Sequence, residues 1–144
     1  MRPLREIASH MDEDEVDRLH IPDDAGPYRA GLLSVMLRIP EGWGRWISCE
    51  AGWYPLITRL DSELAALDPR YVVHQVKEKY GALRFYAETS NALVWDRFDA
   101  LINTAETRSA TVCERCSSDG ELVRLASGWC KTLCPTCADR FGLR

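Results

Sequence analysis

No stretch of this chain approaches the ~20 consecutive apolar residues that cross a bilayer; the longest apolar run, Gly31 to Ile39, is interrupted by Ser34 and Arg38. An export leader is not expected either. Arg2 and Arg5 are followed by Glu6 and the acidic run Asp12, Glu13, Asp14, Glu15, with no apolar segment between them, and the expected location is therefore cytoplasmic. A basic excess is also missing, which weighs against extensive phosphate binding, because affinity for nucleic acid grows with the number of phosphates neutralised. Histidine is scarce: His10, His20 and His74 share no motif with one another or with a carboxylate pair. There is no P-loop, nucleophile elbow, glycine-rich dinucleotide turn or His-Glu-x-x-His pattern, so a non-enzymatic role is expected.

What is present is a globular composition. The 144 residues are 46% hydrophobic and 28% charged, enough for one medium domain with a buried core. The net charge of −4 is uneven, since residues 1–30 hold four arginines against eight acids and the remainder is neutral. Residues 1–28 read as an acidic, partly helical N-terminal arm, residues 29–110 as an α+β core and residues 111–144 as a zinc-binding lobe.

Within the core, the apolar cluster between Leu32 and Ile39 is too dense for periodicity to choose helix or strand. Pro40, Gly42 and Gly44 then predict a turn-rich loop carrying Trp43 and Trp46. Trp53, Leu56, Ile57, Leu60, Leu64 and Leu67 fall on one helical stripe, with Pro55 in the first turn and Asp68-Pro69 ending it. Tyr71 to Glu88 is rich in Val, Tyr and Phe and breaks at Lys79-Tyr80-Gly81, which predicts a β-hairpin. Alternation puts Val72, His74 and Val76 on one face of its first strand, and Leu83, Phe85 and Ala87 on one face of its second. A further helix begins near Ser90 or Asn91 and presents Val94, Phe98, Leu101, Ile102 and Ala105. The fold class expected is α+β: a helix, β-hairpin and helix, followed by the metal-binding lobe.

Six cysteines are present, and four of them form Cys113-x-x-Cys116 and Cys134-x-x-Cys137. Each such turn brings two thiolates within bonding range of one ion, and the separation of the pairs lies in the window for paired zinc-binding turns. One structural zinc on Cys113, Cys116, Cys134 and Cys137 is the expectation, because four thiolates leave no open position for catalysis. The competing chemistries are a reactive Cys-x-x-Cys and an iron–sulfur cluster. Cys49 and Cys130 read as small buried hydrophobes, with Cys130 a weaker substitute for Cys134.

The order of knuckle, hairpin (Glu121–Ala126 and Trp129–Leu133) and a helix carrying the second cysteine pair resembles the treble-clef family of zinc fingers over residues 111–142. That resemblance implies a fold and not an activity. Treble-clef knuckles often carry Gly after the second cysteine, where positive φ is convenient; Ser117 stands there instead, which predicts a looser knuckle. A second resemblance rests on Gln75-Val-Lys-Glu-Lys-Tyr-Gly-Ala-Leu-Arg-Phe-Tyr86, with Gly52-Trp-Tyr-Pro-Leu-Ile57 before it and Gly128-Trp-Cys-Lys-Thr-Leu-Cys134 after it. From about residue 42 onward the chain resembles a group of small bacterial and prophage proteins that join such a hairpin to a C-terminal zinc-binding segment.

These readings lead to a zinc-stabilised protein-interaction module. The prophage resemblance implies a phage-encoded regulatory or counter-defence inhibitor that binds a host protein complex. The candidate partner-binding residues are Trp43 and Trp46 as exposed aromatics, the acidic Asp12, Glu13, Asp14 and Glu15 as a phosphate mimic, and Lys77 and Lys79 at the hairpin. The bland alternatives are that the tryptophans lid the core and that the lysines form a solvated turn. A nucleic-acid-binding zinc-finger regulator is the alternative function, with Tyr80, Phe85 and Tyr86 as stacking platforms. Against it, residues 111–144 carry five basic and four acidic groups, and four thiolates around a zinc would make that lobe net negative.

Overall fold

The computed structural model describes residues 18–141. The acidic run Asp12 to Glu15 lies outside them. The described chain is mixed α+β, with a four-stranded sheet, three helices against it, and a second, two-stranded sheet followed by a short helix.

The main sheet has the order β1 (Leu19–His20), β2 (Arg45–Ser48), β3 (Val72–Lys79), β4 (Ala82–Glu88). β1, β2 and β3 run parallel, whereas β4 returns antiparallel to β3. Parallel neighbours need crossovers, and these are α1 (Arg29–Leu37), between β1 and β2, and α2 (Tyr54–Leu67), between β2 and β3. α3 (Trp95–Ser109) follows β4.

The dense apolar segment resolves as helix α1, with Leu32, Val35 and Met36 buried. α2 follows its predicted stripe: Trp53, Ile57, Leu60 and Leu64 are all buried, and Asp68 is its extended C-cap. In α3, Phe98, Ile102 and Ala105 are buried, and the Asn91 side chain accepts the Leu93 N–H in the turn that leads in. One cluster joins these helices to Ile47, Val73, Val76, Leu83 and Phe85 of the sheet. Each fully buried aliphatic or aromatic side chain contributes about 1.5–3 kcal/mol.

Three expectations are corrected here. The segment expected to be a loop carrying Trp43 and Trp46 contains β2, and Trp46 lies within that strand; four residues with intermittent burial carry too little alternation to register as a strand in the sequence. The stretch preceding residue 29 is not all arm, because β1 pairs with β2, and Ala25 is buried in the core with Leu19, Ile21 and Tyr28 packed against it. Val72, His74 and Val76 do not share a face: a register shift between Val73 and Gln75 puts Val73 and Val76 in the core and leaves Val72 and His74 half-buried. That shift is a β-bulge, in which one extra residue turns the side chains beyond it to the other face. The second strand keeps its alternation, with Leu83 and Phe85 inward.

The hairpin turns at Tyr80 (φ 53°) and Gly81 (φ 81°), the two positive-φ positions of a type I′ turn. β4 is an edge strand, and α3 covers its free donors: the Leu83 N–H donates to Ser109 Oγ and the Phe85 N–H to Glu106 Oε2, both at 2.9 Å. Edge donors paired in this way cannot template another strand.

Candidate metal centre

After α3, the chain forms the knuckle carrying Cys113 and Cys116, then β5 (Glu121–Arg124), β6 (Cys130–Leu133) and α4 (Pro135–Arg140). The knuckle closes because the Ser117 N–H donates to the Cys113 carbonyl at 3.0 Å and the Cys113 N–H to the Ser118 carbonyl at 2.7 Å. Cys134 is the N-cap of α4, with Pro135 in the first turn, and its sulfur accepts the Cys137 N–H at 3.4 Å. The Glu114 N–H donates to the Thr132 carbonyl at 2.9 Å and holds the knuckle over β6.

All four sulfurs lie within 4.8 Å of one another. Cys116 Sγ and Cys134 Sγ are 3.6 Å apart, close to the ~3.8 Å edge of a tetrahedron with ~2.3 Å metal–sulfur bonds and far beyond a disulfide bond. The six cysteines are free thiols. Cys113, Cys134 and Cys137 are buried and Cys116 faces solvent. Hydrogen bonds from Ser118 lower the Cys116 thiol to about 6, whereas burial, with its thiol neighbours, pushes Cys137 up to about 12. A metal ion would displace the protons that such a set retains, so affinity rises with pH. Cys113, Cys116, Cys134 and Cys137 are therefore a built cluster able to hold one metal ion.

The cluster is fastened to the core at Gly52, in the turn before α2. The Gly52 N–H donates to the Glu114 carbonyl at 2.7 Å, and the Gly52 carbonyl accepts the Ser117 hydroxyl at 2.7 Å. A Cβ at Gly52 would collide with the Cys113 and Glu114 backbone. The looser knuckle expected from Ser117 is thus not found: Ser117 adopts φ 72°, as a glycine would, and its side chain ties the knuckle to the core. Nearby, Trp53 Nε1 donates to the Val112 carbonyl at 2.9 Å. At the other end of the lobe, the Thr132 hydroxyl donates to the Gly81 carbonyl at 2.6 Å, seating the tip of the β3–β4 hairpin on β6.

A charged cluster spans the same junction. Lys131 Nζ lies 2.9 Å from Glu50 Oε2 and 3.0 Å from Glu114 Oε1, and the other Glu114 oxygen accepts the Glu50 N–H at 3.1 Å. Glu114 is only 1% exposed. Burial pushes its carboxyl above the ordinary value although Lys131 opposes the shift. For Lys131, burial acts downward, but its bonds to Glu50 and Glu114 outweigh it and hold the ammonium above its usual value. Sequence reasoning missed this triad because its members are far apart along the chain. One local signal existed, an acid directly after the first cysteine of a knuckle that docks on the core.

The candidate partner-binding residues separate. Trp43 and Lys77 line one depression with His74, Gln75 and Tyr86. Trp46 instead stacks edge-on against His20 at 5.4 Å, and Lys79 lies over Tyr80 at the hairpin tip, 5.8 Å from the ring centroid. Trp43 and Trp46 are half-buried, and Trp43 packs against the core; among the described residues the large exposed apolar side chains are Tyr80, Leu122 and Trp129, Leu93 and Trp95 where the chain enters α3, Leu37 at the end of α1 and Tyr86 on β4. Cys49 packs against the core, and burial, with the charge of Glu114, pushes its thiol well above the ordinary range, which suppresses the thiolate a nucleophile needs. Cys130 is half-exposed on β6, outside the metal cluster.

Among the described residues, no helix is long and apolar enough to cross a membrane. The chain matches no protein-family model, no curated protein sequence and no solved structure.

Proposed function

We propose that this chain is a non-enzymatic protein-interaction module whose C-terminal lobe is held by one structural zinc ion on Cys113, Cys116, Cys134 and Cys137. The donor set supports zinc, which favours four tetrahedral thiolates in sites that hold structure and leaves such sites closed to substrate. The succession of knuckle, hairpin and short helix supports a treble-clef reading of the lobe. The observation that carries the reading is the double attachment of the lobe, to Gly52 at the knuckle and to Gly81 at the hairpin tip. Metal placed there rigidifies the β3–β4 hairpin and the aromatic surface around it, and a preorganised surface loses less entropy on binding a partner.

The test is co-purification of the zinc-loaded full chain with host proteins, followed by calorimetry with the purified partner. The reading expects one-to-one binding that disappears on chelation. Purified components that do not bind, or bind equally without metal, would contradict it.

A second reading, single-strand recognition, is favoured by two cation–ring pairs on the hairpin, Lys77 over Tyr86 and Lys79 over Tyr80, each at 5.8 Å. It predicts a salt slope of about −0.7 per phosphate contact. A flat salt titration removes it.

A further inference from the structure

The four cysteines of the cluster are not equally sheltered. Cys113, Cys134 and Cys137 are buried, whereas Cys116 is exposed. A thiol that coordinates a metal ion is deprotonated outright, and oxidation of cysteine follows thiolate character and access. A small oxidant arriving from solvent therefore meets Cys116 first. Cys134 Sγ lies 3.6 Å from its sulfur, and a shift of about 1.5 Å brings the pair to the ~2.05 Å of a disulfide bond. Cys116 is thus both reachable and beside a thiol that can resolve it.

Two features make the lobe responsive to the loss of that ligand. The residue after Cys116 is Ser117, whose hydroxyl ties the knuckle to the Gly52 carbonyl and whose backbone stands at φ 72°. Such a conformation is costly for a residue with a side chain and persists only where its surroundings over-determine it. The second feature is the small core of the lobe, where Leu133 and Ala138 are the buried apolar residues beside the cysteines. So little apolar surface does not hold β5, β6 and α4 in place without the metal. β6 carries both the Thr132 bond to Gly81 and the Lys131 bonds to Glu50 and Glu114. Loosening the lobe therefore frees the tip of the β3–β4 hairpin from its seat.

We propose that Cys116 is an oxidation site for small hydroperoxides such as hydrogen peroxide, and that a Cys116–Cys134 disulfide undocks the lobe. The proposal rests on the zinc reading of the four cysteines and adds the condition under which the surface they hold is released. The chemistry takes two steps. In the first, the Cys116 thiolate attacks a peroxide oxygen, the O–O bond breaks, and a sulfenic acid and hydroxide form. In the second, the Cys134 thiolate attacks the Cys116 sulfur, the S–S bond forms, and the sulfenic oxygen leaves as hydroxide. Both hydroxides take a proton from solvent, so one hydrogen peroxide is reduced to two waters as two thiolates become one disulfide. Cys113 and Cys137 remain, two thiolates where a structural site needs four ligands. A thiol reductant reverses the change by exchange.

The test is hydrogen peroxide added to the zinc-loaded full chain. Released zinc is followed with a chromogenic chelator, the cysteines are mapped by mass spectrometry after alkylation, and amide exchange is read at Leu133. One zinc should leave per disulfide, the first product should be the Cys116–Cys134 crosslink, and exchange at Leu133 should accelerate. Dithiothreitol with added zinc should restore the protected lobe. Cys116→His keeps a fourth ligand that forms no disulfide, and with its zinc content verified it should release zinc at least about tenfold more slowly. Cys130→Ser, outside the cluster, should release it at the unsubstituted rate. Where Cys116→His holds no zinc, the crosslink mapped in the unsubstituted chain decides. First oxidation at another cysteine, a disulfide that leaves zinc bound, or zinc-loaded Cys116→His releasing at the unsubstituted rate would overturn the proposal. A zinc-loaded chain that resists peroxide contradicts the oxidation site alone. A purified chain that binds no zinc contradicts the zinc reading itself.

Discussion

The Ser117 hydroxyl reaches the Gly52 carbonyl oxygen at 2.7 Å across sixty-five residues of sequence. It joins the Cys113–Cys116 knuckle to the turn that starts α2. Ser117 does so from φ 72°, a region costly for any side chain. The two effects can be separated. Ser117→Ala keeps the backbone cost and loses the bond, and should destabilise the metal-loaded protein by ~1 kcal/mol. Ser117→Gly loses the bond but relieves the backbone, and should be close to neutral. Thermal melts of the three chains at fixed zinc concentration check this order.

Removing the metal should release the lobe before the core. The buried apolar set of the lobe is small, consisting of Leu133 and Ala138 beside the cysteines, and cannot replace the roughly 10–16 kcal/mol that structural zinc contributes in comparable sites. Amide exchange after chelation should accelerate at β5, β6 and α4, and at the tip of the β3–β4 hairpin, while α1 and α2 stay protected. Trp129 is a poor reporter, since it is 65% exposed between β5 and β6; Leu133 is the better probe.

Asp61 is the buried polar anchor of the core. It accepts from Ser34 Oγ at 2.8 Å, from Arg38 Nε at 2.9 Å and from the Tyr71 hydroxyl. Arg38 also donates to the carbonyls of Pro69 and Tyr71. Asp61→Ala leaves the half-buried Arg38 guanidinium without its carboxylate and should cost ~3 kcal/mol, read as a lower urea midpoint with unchanged slope. Ser34→Ala removes one neutral donor and should cost about 1 kcal/mol.

Acid should weaken the junction between α2 and the end of β4. The Thr89 hydroxyl donates to Asp68 Oδ2 at 2.7 Å and the Arg70 N–H to Oδ1 at 2.9 Å, and these bonds hold the Asp68 carboxyl below its ordinary value. A depressed carboxylate stabilises the fold above its unfolded pKa, and that contribution is lost as pH falls through the folded value. Asp68→Ala should therefore lower the urea midpoint at neutral pH and flatten its fall below about pH 4. An unchanged acid limb would contradict the assignment.

Local signals carried the sequence reading furthest. The two Cys-x-x-Cys turns bring their ligands together by spacing alone, and Tyr80-Gly81 marks its hairpin by turn chemistry. The α2 and α3 stripes followed from helical periodicity. What the sequence hid depends on distant partners. β2 is too short to alternate visibly and exists because β1 and β3 flank it. The bulge at Val73–Gln75 breaks the period that strand reading relies on. Asp61 sits on the polar side of a helical pattern, and only Ser34, Arg38 and Tyr71, from outside its helix, explain its burial. Nothing beside Gly52 in the sequence marks it out, yet its missing Cβ is where the knuckle docks.

X-ray absorption at the metal edge of the purified full chain, with metal content measured on the same sample, tests the central claim most directly. The account predicts one zinc per chain with four sulfur neighbours at ~2.3 Å. Nitrogen or oxygen ligands, iron with bridging sulfide, or a metal-free chain that retains the protected lobe would contradict it.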